Sequence, residues 1–328
     1  MTLFIDLIIL LIAVFLIWKS SDWMTDSLIP VAKRLGTSYV AITTLLVSLI
    51  LSLPEIFTSI YALLLGHIEI GIGVIIGSVM VNVGLIAGMS AILRPLKVDK
   101  SVIVRDGVFM LIVAIIVGLF GSDLQYSRSE GVVLLLLFIP YALNVWFFEK
   151  WRPPRKHHVH LQRTLKLIGH WKRFKIKPSL FTFILGAVVL VGGSYLFSYS
   201  LVEVNNALMI PEILVGLVIG AIGTGMPNIA AALQGTLKGY KDAALNETFG
   251  SNIFTLLITL GLIVVISPFT IAGKVFYFDL TWMIVINLLF LGFIVKGYFL
   301  DDDSLTRPEG VILLLFYLAL LIIQVFGF

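Results

Sequence analysis

One glutamate stands inside an otherwise apolar run, Val47-Ser48-Leu49-Ile50-Leu51-Ser52-Leu53-Pro54-Glu55-Ile56-Phe57-Thr58-Ser59. In hydrocarbon a carboxylate costs on the order of several kcal/mol unless it faces a cavity, a cation or a proton. Pro54 has no N–H, so a carbonyl one turn earlier, near Ile50 and Leu51, loses its donor. Ser48, Ser52, Glu55 and Ser59 follow at spacings of three and four and share one helical face. A carboxylate, hydroxyls and a freed carbonyl form the oxygen set that hard cations prefer. The competing reading is a protonated Glu55 hydrogen-bonded to a neighbouring helix.

A second polar run, Gly220-Ala221-Ile222-Gly223-Thr224-Gly225-Met226-Pro227-Asn228, again sets a proline beside a polar residue, here a neutral one. Gly77-Ser78 leads to Asn82, and Gly250-Ser251-Asn252 leads to Thr255. The pairs Ser78/Asn82 and Ser251/Thr255 are spaced i, i+4, so each looks one way. Glu247 lies one turn before Ser251. It joins that face or ends as a surface carboxylate near Lys241.

These residues need helices that cross a bilayer. The chain has 328 residues, 59% hydrophobic and 13% charged, with a mean hydropathy of +1.07. Soluble chains carry about 25% charged residues, so the composition excludes a charged skin around a soluble core. Cysteine is absent, which removes disulfides, thiolate metal sites and a cysteine nucleophile. Crossing takes about 20 apolar residues. Ten such runs are expected, near 2–19, 37–65, 69–94, 102–121, 130–149, 179–201, 212–237, 243–267, 275–296 and 309–327. The first, without a basic leader or a small-residue cleavage site, is expected to stay as a span rather than act as a signal peptide. With both termini outside, 21 of the 23 Lys and Arg fall on cytoplasmic connections, leaving only Arg128 and Lys274 outside. A multi-pass protein of the cell membrane is expected.

The segments also repeat. An offset of 173 aligns Leu53-Pro54-Glu55 with Met226-Pro227-Asn228, Gly66 with Gly239, Gly77-Ser78 with Gly250-Ser251, Asn82 with Thr255 and Pro95 with Pro268. A weaker echo at 179 links Glu130-Gly131-Val132 to Glu309-Gly310-Val311. Five spans per half force the halves into opposite senses, the arrangement in which secondary transporters bind substrate near the midplane. The expected fold is an all-α polytopic membrane protein. Residues 1–149 form the first five-helix repeat, 150–178 a basic cytoplasmic linker and 179–328 the second, inverted repeat.

The four polar segments resemble the two alpha-repeats of the calcium/cation antiporter superfamily, especially prokaryotic sodium/calcium exchangers. The family's G-T-S-L-P-E is similar to Ile50-Leu51-Ser52-Leu53-Pro54-Glu55 and to Gly223-Thr224-Gly225-Met226-Pro227-Asn228. Its G-S-x-x-x-N and G-S-N-I-x-D are similar to Gly77-Ser78-Val79-Met80-Val81-Asn82 and to Gly250-Ser251-Asn252-Ile253-Phe254-Thr255. Ser21-Asp22-Trp23, after the first run, also matches. The resemblance implies alternating-access exchange of Na⁺ against Ca²⁺, with no cofactor. It places the cation site on Glu55, Ser52, Ser78, Asn82, the Ala221 carbonyl, Thr224, Asn228, Ser251 and Thr255. Glu55 and Asn228 hold the metal positions, with Ser48 and Glu247 as accessories. The departures are Ile50-Leu51 for Gly-Thr, Gly225 for serine, Asn228 for glutamate and Thr255 for aspartate. The formal charge falls from the family's −3 to −1, or −2 with Glu247. Calcium selectivity and a 3:1 ratio therefore do not carry over with the fold. The alternatives are a proton- or monovalent-coupled exchanger and a non-transporting paralogue.

Other features are blander. His157, His158, His160 and His170 lie in the basic linker, expected to face anionic lipid rather than a transition metal. Asp301-Asp302-Asp303 reads as a hydrated turn. No nucleotide-binding motif occurs, and a short basic loop gives no nucleic-acid module. Inorganic cations and membrane lipid are the expected partners, and a monomer the expected state. An intramembrane lipid phosphatase would need basic phosphate ligands at membrane depth, and the polar segments hold no Arg, Lys or His.

Overall fold

The computed structural model describes residues 2–34, 39–97, 99–151, 178–300 and 304–326. The basic linker with its four histidines and the Asp301–Asp303 turn lie outside them. Nine helices among the described residues are long and apolar enough to cross a bilayer. Those of the first half are Leu3–Leu28, Leu46–Leu64, Ile68–Leu93, Lys100–Asp123 and Arg128–Phe147. Those of the second are Leu180–Leu208, Ala244–Ile266, Val275–Phe299 and Arg307–Phe326. A pair bent by 50°, Glu212–Thr224 with Met226–Leu237, makes the tenth and stands seventh in order. Its ends show that it crosses. Glu212 meets His67 at the start of the third span, and the Lys241 carbonyl accepts from the Lys97 N–H beyond the third span's end.

Burial sorts the spans. The third is 94% buried and the eighth 78%, whereas the first and fifth are 22% buried and turn Phe4, Leu11, Leu136 and Phe147 outward. Polar side chains collect on the enclosed spans, where protein can satisfy them. The third and seventh approach through glycine. A Cβ on Gly73 would stand 2.5 Å from the Ile213 carbonyl oxygen, and one on Gly216 would meet the Ile70 carbonyl. Small residues permit such backbone contact in lipid, where packing rather than water exclusion joins helices.

Local sequence explains the helix starts. Ser127 and Glu130 form a capping box: the Ser127 N–H donates to Glu130 Oε2 at 2.7 Å, and the Glu130 N–H donates to Ser127 Oγ at 3.5 Å. At the tenth span the Thr306 N–H donates to Glu309 Oε2 at 2.8 Å. The echo at offset 179 is thus a repeated helix start. The glycine after each box packs on a matched partner. A Cβ on Gly131 would lie 3.0 Å from the Gly261 carbonyl oxygen, and one on Gly310 would lie 2.6 Å from that of Gly88.

Two expectations change. The first helix does not stop at 19 but continues to Arg34, with Ser20, Ser21, Thr25 and Ser27 all buried. Lys19 pairs with Asp22 at 3.3 Å one turn on, so the charges do not end the helix. The two proline segments also differ. The helix Tyr39–Leu64 runs unbroken through Pro54, whereas the seventh span breaks at Gly225 and restarts at Met226. Pro227 there occupies a first-turn position, where a missing N–H loses nothing.

Candidate functional site

The second, third, seventh and eighth spans bring the polar segments to one enclosed place. Ser52, Glu55, Ser78, Asn82, Thr224, Asn228, Ser251 and Thr255 are each at most 1% exposed. Ser251 is the hub. Its Oγ accepts from Asn82 Nδ2 at 3.1 Å and from Asn228 Nδ2 at 2.9 Å, and lies 3.4 Å from Ser52 Oγ. A hydroxyl has two acceptor lone pairs and one proton. With both lone pairs taken by the asparagines, the Ser251 proton points to Ser52. Ser251 is therefore saturated in this arrangement, while Ser52 keeps its own proton one turn before Glu55.

Other oxygens have no donor. Both carboxylate oxygens of Glu55, Ser78 Oγ, Asn228 Oδ1 and Thr255 Oγ1 are buried without a hydrogen-bond partner among the described residues. Native structures leave few such groups, since each costs about 1–3 kcal/mol. Five of the twenty such atoms among the described residues sit on four of the predicted residues in this one enclosed place, where a cation would supply the missing positive charge.

Thr224 and Ala221 are engaged within their helix. Thr224 Oγ1 donates to the Gly220 carbonyl at 2.9 Å and lies 3.5 Å from that of Ala221, which also accepts the Gly225 N–H at 3.0 Å. Ser48 stands over Gly250, where a Cβ would be 2.5 Å from its Oγ. Glu247 is half-buried, and its Oε1 is buried with no hydrogen-bond partner. Ser59 donates to the Gly71 carbonyl at 3.2 Å and so ties the second span to the third.

Two members were missed. Asn252 Oδ1 accepts from Asn82 Nδ2 at 2.9 Å, and Thr248 Oγ1 donates to the Asn82 carbonyl at 3.2 Å. The spacing rule selected Ser251 and Thr255 and passed over the adjacent Asn252. The signal was its place inside Gly-Ser-Asn. Among the described residues no group of three or more His, Asp and Glu could hold a metal by side chains of those types alone. Any cation here must lean on hydroxyls, amides and carbonyls around Glu55.

Comparison with known proteins agrees with this architecture. The sequence pattern of the family described as Sodium/calcium exchanger protein matches residues 5–147 and 178–326. The sodium/calcium exchanger MaX1 of Methanosarcina acetivorans is 29% identical over 97% of this chain and 98% of its own. CaxA of Alkalimonas amylolytica is 30% identical over 93% of this chain and 94% of its own. The solved sodium-calcium exchanger NCX_Mj, soaked with 2.5 mM Na⁺ and 0.1 mM Sr²⁺, is 25% identical. It superposes with a TM-score of 0.67 over 97% of this chain and 98% of its own. With both halves matched, this chain belongs to the sodium/calcium exchanger protein family of multi-pass cation antiporters, which are transporters and not enzymes.

Proposed function

We propose that the chain exchanges Na⁺ against Ca²⁺ by alternating access, with the cation held at Glu55 between the second, third, seventh and eighth spans. The observation that carries this reading is the set of buried, unpartnered oxygens on Glu55, Ser78, Asn228 and Thr255. Ser52, Asn82, Thr224, the Ala221 carbonyl and Ser251 complete the surroundings, with Ser48 at the edge. The halves 1–149 and 179–328, joined by the linker 150–178, supply the two inverted bodies that move against each other. Support comes from matched details: Gly66 and Gly239 both turn at φ near +90°, and the Gly131–Gly261 contact mirrors Gly310–Gly88. Both termini lie outside the cell membrane, and the linker faces anionic lipid.

A second reading, exchange coupled to protons or another monovalent ion, is favoured by one observation. Asn228 and Thr255 stand where the resemblance places acids, so the enclosed site holds a single carboxylate. A dehydrated Ca²⁺ beside it keeps net positive charge in low dielectric.

The deciding experiment is ⁴⁵Ca²⁺ uptake into proteoliposomes driven by an outward Na⁺ gradient, then by an outward proton gradient. Na⁺-driven uptake is expected in the unaltered chain and its loss in folded Glu55→Gln. Uptake driven by protons alone selects the second reading. No flux under either gradient makes the chain a non-transporting paralogue.

A further inference from the structure

Resting on the reading of Glu55 as the central cation site, we propose that Glu247 is a second, separate cation subsite. It stands at the mouth of the central site on the side where the eighth span begins, and takes a partly hydrated Na⁺ or Ca²⁺.

The second and eighth spans run parallel, because each is antiparallel to a neighbour of the same sense: the third span, and the seventh that lies along it from His67–Glu212 to Lys97–Lys241. Ser52 and Ser251 meet at 3.4 Å and so define a common level. Glu55 lies three residues beyond Ser52 in the shared direction, and Glu247 four residues before Ser251. At a rise of about 1.5 Å per residue the Cα atoms of the two glutamates sit about 10 Å apart along the spans, on opposite sides of the Ser251 hub. Na⁺ and Ca²⁺ hold oxygens at about 2.3–2.6 Å, so cations held at the two levels are centred on different sides of the hub.

Glu247 is nevertheless coupled to the central site. Like charges on the two glutamates would repel across the hub, and Glu247 shares a helical face with Ser251 one turn away. The next residue, Thr248, clamps its turn to the third span through the Asn82 carbonyl. Glu55 is fully enclosed, whereas Glu247 keeps partial exposure while its Oε1 is buried without a hydrogen-bond partner among the described residues. A glutamate of intermediate exposure with one carboxylate oxygen buried and unpartnered among the described residues can receive a hydrated cation and pass it inward.

The test is calorimetric titration of the purified full-length chain in detergent with Ca²⁺ and, separately, Na⁺. The variants are Glu247→Gln, Glu247→Asp and Glu55→Gln, each checked for an unchanged thermal midpoint. Two binding components are expected in the unaltered chain. Glu247→Gln should remove one and shift the other by less than about threefold, by the same electrostatic coupling. Glu247→Asp should keep both, and Glu55→Gln should remove the component that Glu247→Gln leaves. A Glu247→Gln isotherm identical to that of the unaltered chain overturns the proposal. So does loss of all binding in both glutamine variants, which would make the acids one site. Two components with this pattern, but no Na⁺-driven Ca²⁺ uptake, would sustain the subsite and defeat the exchange reading. A chain that binds neither ion defeats both.

Discussion

Ser251 and Thr224 carry the same functional group in the same enclosed site, yet their removal should differ. Thr224 Oγ1 returns its hydrogen bond to the carbonyl of Gly220 in its own helix, so Thr224→Ala leaves no other span's donor without its acceptor. Ser251 Oγ satisfies two buried amides from two other spans. Its loss takes the partner from Asn228 Nδ2 and leaves Asn82 Nδ2 its bond to Asn252, at about 1–3 kcal/mol in total once membrane measurements of such bonds temper the figure from water. Ser251→Ala should therefore lower the thermal midpoint by several degrees, with Thr224→Ala close to the unaltered chain, in a melting curve followed by near-ultraviolet circular dichroism. Charge is the second issue at this scale. Asn228 and Thr255 both hold buried oxygens without partners, so acids there would meet the same space. Asn228→Glu with Thr255→Asp should raise Ca²⁺ affinity at least tenfold and shift coupling toward three Na⁺, read from reversal potentials over imposed Na⁺ gradients. An unaltered chain that already shows 3:1 coupling would defeat the charge count.

Between elements, glycine decides how closely the third and seventh spans approach. Gly73 and Gly216 face each other across that contact, and a methyl on either meets the opposite backbone, which cannot rotate away. Gly216→Ala should push the spans apart and destabilise the chain by about 1–3 kcal/mol, the usual range for overpacking. Gly192 is the control. Nothing lies within 4 Å of a Cβ built there, in mid-helix. Gly192→Ala should stabilise by about 0.5–1 kcal/mol through helix propensity alone. Thermal midpoints of the two variants should thus move in opposite directions. The break at Gly225 belongs to this scale too. The equivalent position in the first half is Ser52, in an uninterrupted helix, so the two halves use their prolines differently despite aligned sequences.

For the molecule as a whole, the charge bias is the ground on which both termini are proposed to lie outside. Apart from Lys19, which lies within the lengthened first span, all but two of the Lys and Arg fall on one side if both termini lie outside. The absence of cysteine makes this simple to test, because any introduced thiol is unique. A membrane-impermeant maleimide should label Arg128→Cys in intact cells and label Lys238→Cys only after permeabilisation. The reverse pattern would invert the molecule and place Glu247 at the outer mouth instead of the inner one.

Much of this was legible in the chain itself, because the membrane makes residue order a strong constraint. Runs of about 20 apolar residues must be helices there, and the polar residues that interrupt them must face inward. The spacing of Ser48, Ser52 and Glu55 on one face, and of Ser251 and Thr255 on another, follows from the helical period alone. The offset of 173 is read directly from the repeated motifs and reappears in the matched turns at Gly66 and Gly239. What periodicity cannot supply is the register between helices, since it describes one helix at a time. The hub joins Ser52, Asn82, Asn228 and Ser251 across separations of up to 199 residues. Only their packing shows that Ser251 spends both lone pairs on asparagines and that Asn252 joins the network. It also separates Glu247 from Glu55 by the height of the hub. Near neighbours along the chain are set by the 3.6-residue turn. Neighbours across the bundle are set by which backbones glycine lets touch, and that was decided by the tertiary structure.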